Sequence, residues 1–134
     1  MSTPVPPPEL SEAALAFLTR RGLATLTTLR SDGTPHVVPV GFTYDAPTGT
    51  ARVITNGASV KVANARRVPR VALCQLDGRD WITLEGAATV SEEPEDVADA
   101  VQRYAQRYRV PRESPERVAL IVVVDRVMAS SSLR

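Results

Sequence analysis

Apolar positions recur at two different periods along the chain, and the switches between them mark out its elements. From Leu10 to Gly22 they fall three and four apart. Ala14, Leu15 and Leu18 share a face, Ser11 stands as N-cap, Glu12 occupies the first turn and Gly22 is placed to close the end, which predicts a helix. Leu23–Leu29 then turns extended and rich in leucine and threonine. Ser31-Asp32-Gly33 supplies turn chemistry, Pro35–Tyr44 a second strand, Ala46-Pro47-Thr48-Gly49 another turn and Ala51–Thr55 a third strand. Ser59–Arg67 reads as a short helix capped by Ser59 and stopped by Pro69. Val71–Leu76 and Trp81–Val90 are two more strands joined around Asp77-Gly78. A long helix opens at Ser91–Pro94, with acids at its positive end, and runs to about Arg109 with Val97, Val101, Tyr104 and Tyr108 on one face. Val118–Val127 is nearly all β-branched and is expected to be buried on both faces.

The resulting architecture is mainly β within an α+β chain: six antiparallel strands, two short helices and one longer one. Up-and-down strands of this kind are expected to close into a small barrel, which removes exposed edges. Residues 1–9, opening MSTPVPPP, form a loose tail in this reading, and residues 10–134 form a single domain.

Composition narrows the function classes. The 134 residues are 43% hydrophobic and 23% charged, enough for one core of ordinary globular character. Sixteen basic against 15 acidic residues leave a net charge of +1, which predicts no general binding to nucleic acid or to an anionic membrane surface. Cys74 and His36 are the only residues of their kinds, which excludes an internal disulfide framework and the usual zinc sites. No apolar run reaches a bilayer-spanning length and no signal pattern opens the chain, so a cytoplasmic location is expected. Lys61 is the one lysine among 16 cations.

Standard catalytic motifs are mostly missing. No two glycines flank a single residue, so there is no dinucleotide fingerprint, and there is no phosphate-binding Walker loop. Gly57-Ala58-Ser59-Val60-Lys61 begins like a nucleophile elbow but has Lys61 where the second glycine belongs. The same segment has another reading. A strand, a glycine turn and a helix carrying Ser59 and Lys61 in its first turn place free N–H groups, a hydroxyl and a cation together, with Arg67 two turns on. That is a phosphate-site pattern, although a capped surface helix with solvated cations has the same spacing. His36 suits either a structural or a ligand-facing role, Cys74 a small buried apolar one, and Trp81 either core or the rim of a planar-ligand site. Tyr104 and Tyr108 fit helix packing, and Arg103, Arg107 and Arg109 either a solvated face or contacts to an acidic ligand.

The run from Thr55 to Arg70, T-N-x-x-S-x-K-x-x-N-x-x-R-x-P-R, resembles the split β-barrel flavin- and deazaflavin-binding proteins, the pyridoxamine 5′-phosphate oxidase-like family. Leu26–Phe42, with its Asp-Gly turn followed by proline, is similar to that family's first hairpin, and Leu84-Glu85-Gly86 to its recurring Glu-Gly strand. Ala14–Leu18, Ala51–Thr55 and Arg103–Arg109 extend the likeness across roughly Leu10–Val127, towards the mycobacterial members that use coenzyme F420 to reduce biliverdin. The resemblance implies a homodimer with the cofactor in a groove between two barrels. It places Ser59, Lys61, Asn64 and Arg67 at the cofactor phosphate, and His36, Val37, Val38, Pro39 and Val40 under the tricyclic ring. Ile54, Thr55 and Asn56 flank the ribityl chain, while Gln75, Asp77 and Trp81 face the groove from the partner or its rim. It implies hydride transfer from reduced F420 to a conjugated acceptor, a tetrapyrrole such as biliverdin first among them. The cofactor carries that chemistry, so no catalytic acid or base is assigned. FMN is the alternative cofactor, with oxidase or flavin reductase activity. A non-catalytic deazaflavin or tetrapyrrole binder is the alternative outside enzymes. FMN-binding members surround the phosphate with further basic residues, so a single lysine favours the deazaflavin.

Overall fold

The computed structural model describes residues 5–134; Met1–Pro4 of the expected tail lie outside the described residues. Val5–Leu10 carry no helix or strand, and a Cβ added to Gly49 would meet Pro7 at 2.9 Å, so this stretch lies against the turn at Gly49. Helix α1 (Glu12–Thr19) starts where the sequence predicts, because the Ser11 Oγ accepts the Ala14 N–H at 3.0 Å. The same hydroxyl donates to the Leu133 carbonyl at 2.8 Å and ties the two ends of the described chain together. The buried face is Ala14, Phe17 and Leu18 rather than the predicted Ala14, Leu15 and Leu18. Nor does Gly22 end the helix, which stops at Thr19. Gly22 answers to a close approach instead, since a Cβ there would stand 2.8 Å from Gln75 Nε2.

Seven strands follow, not six: β1 (Ala24–Leu29), β2 (Pro35–Val40), β3 (Thr43–Asp45), β4 (Thr50–Asn56), β5 (Arg70–Asp77), β6 (Asp80–Ser91) and β7 (Arg117–Ala129). The predicted Pro35–Tyr44 strand breaks at Gly41-Phe42. The Tyr108 hydroxyl donates to the Gly22 carbonyl at 2.6 Å and accepts the Phe42 N–H at 3.2 Å, so Phe42 has left the ladder and its ring is buried. All the strands lie in one antiparallel sheet ordered β2-β1-β5-β6-β7-β4-β3. The expected barrel is therefore not closed by hydrogen bonds. Its two edge strands are consecutive in sequence and joined only through the two-residue break.

Inward-facing Leu26, Phe42, Val53, Leu73, Leu84, Leu120 and Val122 fill the core. Only the first half of β7 is buried on both faces, through Val118, Ala119 and Leu120; from Val123 onward burial alternates as on a one-sided strand. The Glu-Gly pair of β6 has a steric cause. Register shifts between Glu85 and Gly86, and a Cβ at Gly86 would lie 2.1 Å from the Val123 carbonyl oxygen. Helix α2 (Val60–Arg67) packs on β1 and β6, and helix α3 (Pro94–Arg107) on β3, β4 and β7. A single 3₁₀ turn, Ser131–Leu133, ends the chain. No helix among the described residues is long and apolar enough to cross a membrane.

Candidate functional site

Strand β4 ends in a tightly held turn. Asn56 Oδ1 accepts the Ala58 N–H at 2.7 Å, its Nδ2 donates to Glu116 at 3.2 Å, and the Gly57 N–H donates to the Glu116 carbonyl at 2.9 Å. The turn is thereby fixed to the residues leading into β7, and it delivers the chain into α2 at Ser59. Ser59 occupies the N-cap position with extended backbone, but its hydroxyl caps nothing; it is buried and has no hydrogen-bond partner. The first helical bond is made by Ala63, which leaves the N–H groups of Val60, Lys61 and Val62 without a protein partner. An uncapped helix start beside an idle hydroxyl is a ready anion site.

Lys61 completes it. Among the described residues no carboxylate lies within 4.0 Å of its ammonium and no side chain bonds it. Burial pulls its pKa below the ordinary 10.5 because nothing offsets the lost hydration. An anion bound beside it would reverse that shift.

Lys61 opens into a groove of about 290 Å³. One wall is Pro39, Val40 and Gly41 at the end of β2, and the floor is Ile54, Thr55 and Asn56 of β4. Tyr104 of α3 and Pro111, Ser114 and Arg117 close the other side. The structure thus brings together six of the expected site residues: Pro39, Val40, Ile54, Thr55, Asn56 and Lys61. Ser59 stands two residues before Lys61 at the head of α2.

Other expected residues lie elsewhere. His36, Val37 and Val38 belong to β2 but stop short of the groove. His36 is opposite Thr28 in the ladder with Nδ1 buried and unpartnered, Val37 points outward, and Val38 packs against the core. Asn64 is a correction: its amide faces inward, donating to Thr28 Oγ1 at 3.0 Å and accepting from Arg67 at 2.8 Å, because α2 must be pinned to β1. Arg67 spends the same nitrogen on the Leu29 carbonyl at 3.0 Å. Gln75 is likewise a core residue, only 2% exposed, and it bridges the Phe17 carbonyl and Arg107. Asp77 is exposed and paired with Arg20 at 3.1 Å. Trp81 lines a different cavity of about 470 Å³, mostly apolar, with Leu10, Met128 and Leu133.

Sequence reading missed Gly41, Tyr104, Ser114 and Arg117. Gly41 has no room for a side chain, since a Cβ would meet Tyr104 at 3.0 Å and Tyr108 at 3.2 Å. The two tyrosine rings stack with centroids 4.8 Å apart, and this pair carries Tyr104 to the groove. Their four-residue spacing was visible, but which face met the groove was not. Arg117 offered no signal among so many arginines.

Comparisons with known proteins identify the family. The chain is 54% identical to an F420H(2)-dependent biliverdin reductase of Mycobacterium tuberculosis (strain CDC 1551 / Oshkosh), over 92% of this chain and 90% of that protein. Among solved structures it is similar to a conserved hypothetical protein of Mycobacterium tuberculosis, with a TM-score of 0.78 and 27% identity over 92% of this chain and 86% of that one. It also shares its fold with an F420 reductase, with a TM-score of 0.73 and 23% identity over 88% of this chain and 98% of the other. The family model described as pyridoxamine 5′-phosphate oxidase matches residues 10–130, a span that takes in the whole sheet, the uncapped start of α2 and the groove. On the strength of that match and that relative, the chain is a member of the pyridoxamine 5′-phosphate oxidase family.

Proposed function

We propose that this protein is an oxidoreductase that takes hydride from reduced coenzyme F420 and delivers it to a conjugated tetrapyrrole, biliverdin. One observation carries the reading: the groove holds an ammonium with no counter-ion among the described residues, on the first turn of a helix that also carries an idle buried serine hydroxyl and three open N–H groups. That set fits a singly charged phosphodiester. The relative at 54% identity is by name F420H(2)-dependent and a biliverdin reductase.

When bound, the deazaflavin supplies the hydride; the protein supplies position and environment. Lys61, Ser59 and the first turn of α2 hold the phosphate. Pro39, Val40, Gly41 and Ile54 would give the ring an apolar wall, and the Tyr104 ring borders the same space. Thr55 and Asn56 offer polar atoms along the floor for a hydroxylated chain. No carboxylate lines the groove among the described residues, so it does not repel an anionic donor.

The proposal extends to a cytoplasmic homodimer that binds no nucleic acid. Leu76, Val37, Met128 and Val123 are large apolar residues left 66%, 54%, 48% and 40% exposed, and a second copy would cover such surface. In that assembly Asp77 and Trp81 approach the groove from the partner. Light scattering at micromolar concentration should give twice the 14.5 kDa chain mass; the single mass would remove the dimer.

The direct test mixes the pure protein with reduced F420 and biliverdin and follows reoxidation of the deazaflavin. Reduced FMN and NADPH serve as matched donors. Turnover with either that equals turnover with reduced F420 would overturn the deazaflavin assignment and favour the FMN reading.

A further inference from the structure

The groove contains a second cation, and no phosphate site explains it. Arg117 stands at the start of β7, level with Asn56 in the β4–β7 register, and lines the same groove as Lys61 from a different element. Among the described residues no carboxylate lies within 4.0 Å of its guanidinium. The adjacent Glu116 is engaged by Asn56 at 3.2 Å instead. One nitrogen of Arg117 donates to the Arg112 carbonyl at 2.5 Å, which holds the preceding loop, and the backbone N–H of Arg117 donates to the Ser114 carbonyl at 3.2 Å. That turn places Ser114 on the groove beside it. The remaining donors of the planar guanidinium have no protein partner, and a half-buried arginine in that state suits a carboxylate, which it grips with two parallel bonds.

We propose that Arg117, with Ser114, is a second anion-holding pole of the groove that takes a carboxylate on a bound substrate. This rests on the deazaflavin and tetrapyrrole reading above, in which two molecules bring carboxylates. The donor has them on its glutamyl tail, and the acceptor on its propionates. Both sources share one chemistry, and the pole discriminates against ligands lacking it. Charge separation between Lys61 and Arg117 then fixes orientation: phosphate at the head of α2, carboxylate at the foot of β7.

The test uses Arg117→Gln, which keeps an amide donor for the Arg112 carbonyl but removes the charge. Arg117→Lys restores the charge, and Arg66→Gln serves as control for loss of a surface cation outside the groove. Binding is read by titration of oxidised F420 (fluorescence) and of biliverdin (absorbance), with melting temperature as the folding check. If the donor tail supplies the carboxylate, Arg117→Gln weakens F420 about three- to tenfold. It then leaves the dissociation constant of the deazaflavin without glutamates unchanged. If the acceptor supplies it, biliverdin weakens to that extent and its dimethyl ester does not. Either pattern, with recovery in Arg117→Lys and silence in Arg66→Gln, supports the pole. Folded Arg117→Gln binding both intact ligands as tightly as the parent overturns it, as does equal weakening of the ligands with and without carboxylates. Failure of the parent protein itself to bind F420 is a separate result that removes the underlying function.

Discussion

Two half-buried cations of this chain have opposite surroundings. Arg107, at the end of α3, donates to the Phe42 carbonyl at 2.6 Å, to Gln75 at 2.8 Å and twice to the Arg20 carbonyl, at 2.9 and 3.1 Å. Its guanidinium also lies over the Phe42 and Tyr108 rings, at 4.8 and 5.2 Å. Lys61 makes none of these contacts. Burial lowers the pKa of both, yet only Arg107 receives hydrogen bonds in return for its lost water. A cation saturated by its own chain is structure; one desolvated and left without partners among the described residues is free to meet a ligand. The same contrast separates Gln75, consumed on both sides, from Ser59, used on neither.

Substitution should split the two cations cleanly. Arg107→Ala strands the Phe42 and Arg20 carbonyls and one side of Gln75, and should cost about 3–4 kcal/mol of unfolding free energy in urea. A loss below about 1 kcal/mol would show that Arg107 is not the anchor of α3. Lys61→Ala should not lower the urea midpoint while weakening F420 by about ten- to hundredfold, or roughly 1.5–3 kcal/mol. Unaltered affinity in the folded variant would remove Lys61 from the site.

The depressed pKa of Lys61 adds a sign to this contrast. In the free protein the folded state disfavours the ammonium, so stability rises as pH climbs through its folded value, below 10.5. Affinity for an anionic cofactor runs the other way and falls over that window. Lys61→Arg should carry tight binding to higher pH, since a guanidinium stays charged; isothermal titration across the alkaline range would decide.

Smaller effects sharpen the boundary between site and scaffold. Gly41→Ala drives a methyl toward the stacked tyrosines, and should cost about 1–2 kcal/mol by thermal melting while weakening ligand through displaced Tyr104. Unchanged melting would mean the rings yield freely. The smallest change should come from Asp125→Asn on the sheet surface. Arg70 grips Asp125 with two bonds of 2.5 Å and thereby holds its carboxyl below the ordinary 3.8. Solvent screening limits the pair to at most about 1 kcal/mol. That contribution is present above the unfolded pKa and disappears as pH falls through the folded one, so the variant should differ from the parent at neutral pH and match it in strong acid.

What the sequence revealed follows the range of the interactions involved. Turn chemistry at Asp32-Gly33 and the Ser11 cap are decided within a few residues, and each was readable. The break at Gly41-Phe42 was not, because it is made by Tyr108, 66 residues away. Asn64 and Gln75 look like ordinary polar site candidates until Thr28, Phe17 and Arg107 are brought beside them. Ser59 shows the converse: its position suited a cap, and only the folded backbone leaves its hydroxyl idle. Lys61 stood out because it is the chain's sole lysine among arginines, whereas Arg117 was hidden by their number.

The two-residue link between β2 and β3 also bears on how the site comes into being. These strands are neighbours in sequence but occupy opposite edges of a seven-stranded sheet. The other five strands lie between them, and the step at Gly41 forms part of the groove wall. The groove therefore draws on pairings between residues far apart in sequence, the kind of contact that forms most slowly. Once bound, a ligand spanning β2, β4 and α2 clasps the seam from both sides, so its main kinetic effect should be to slow opening rather than to speed closure.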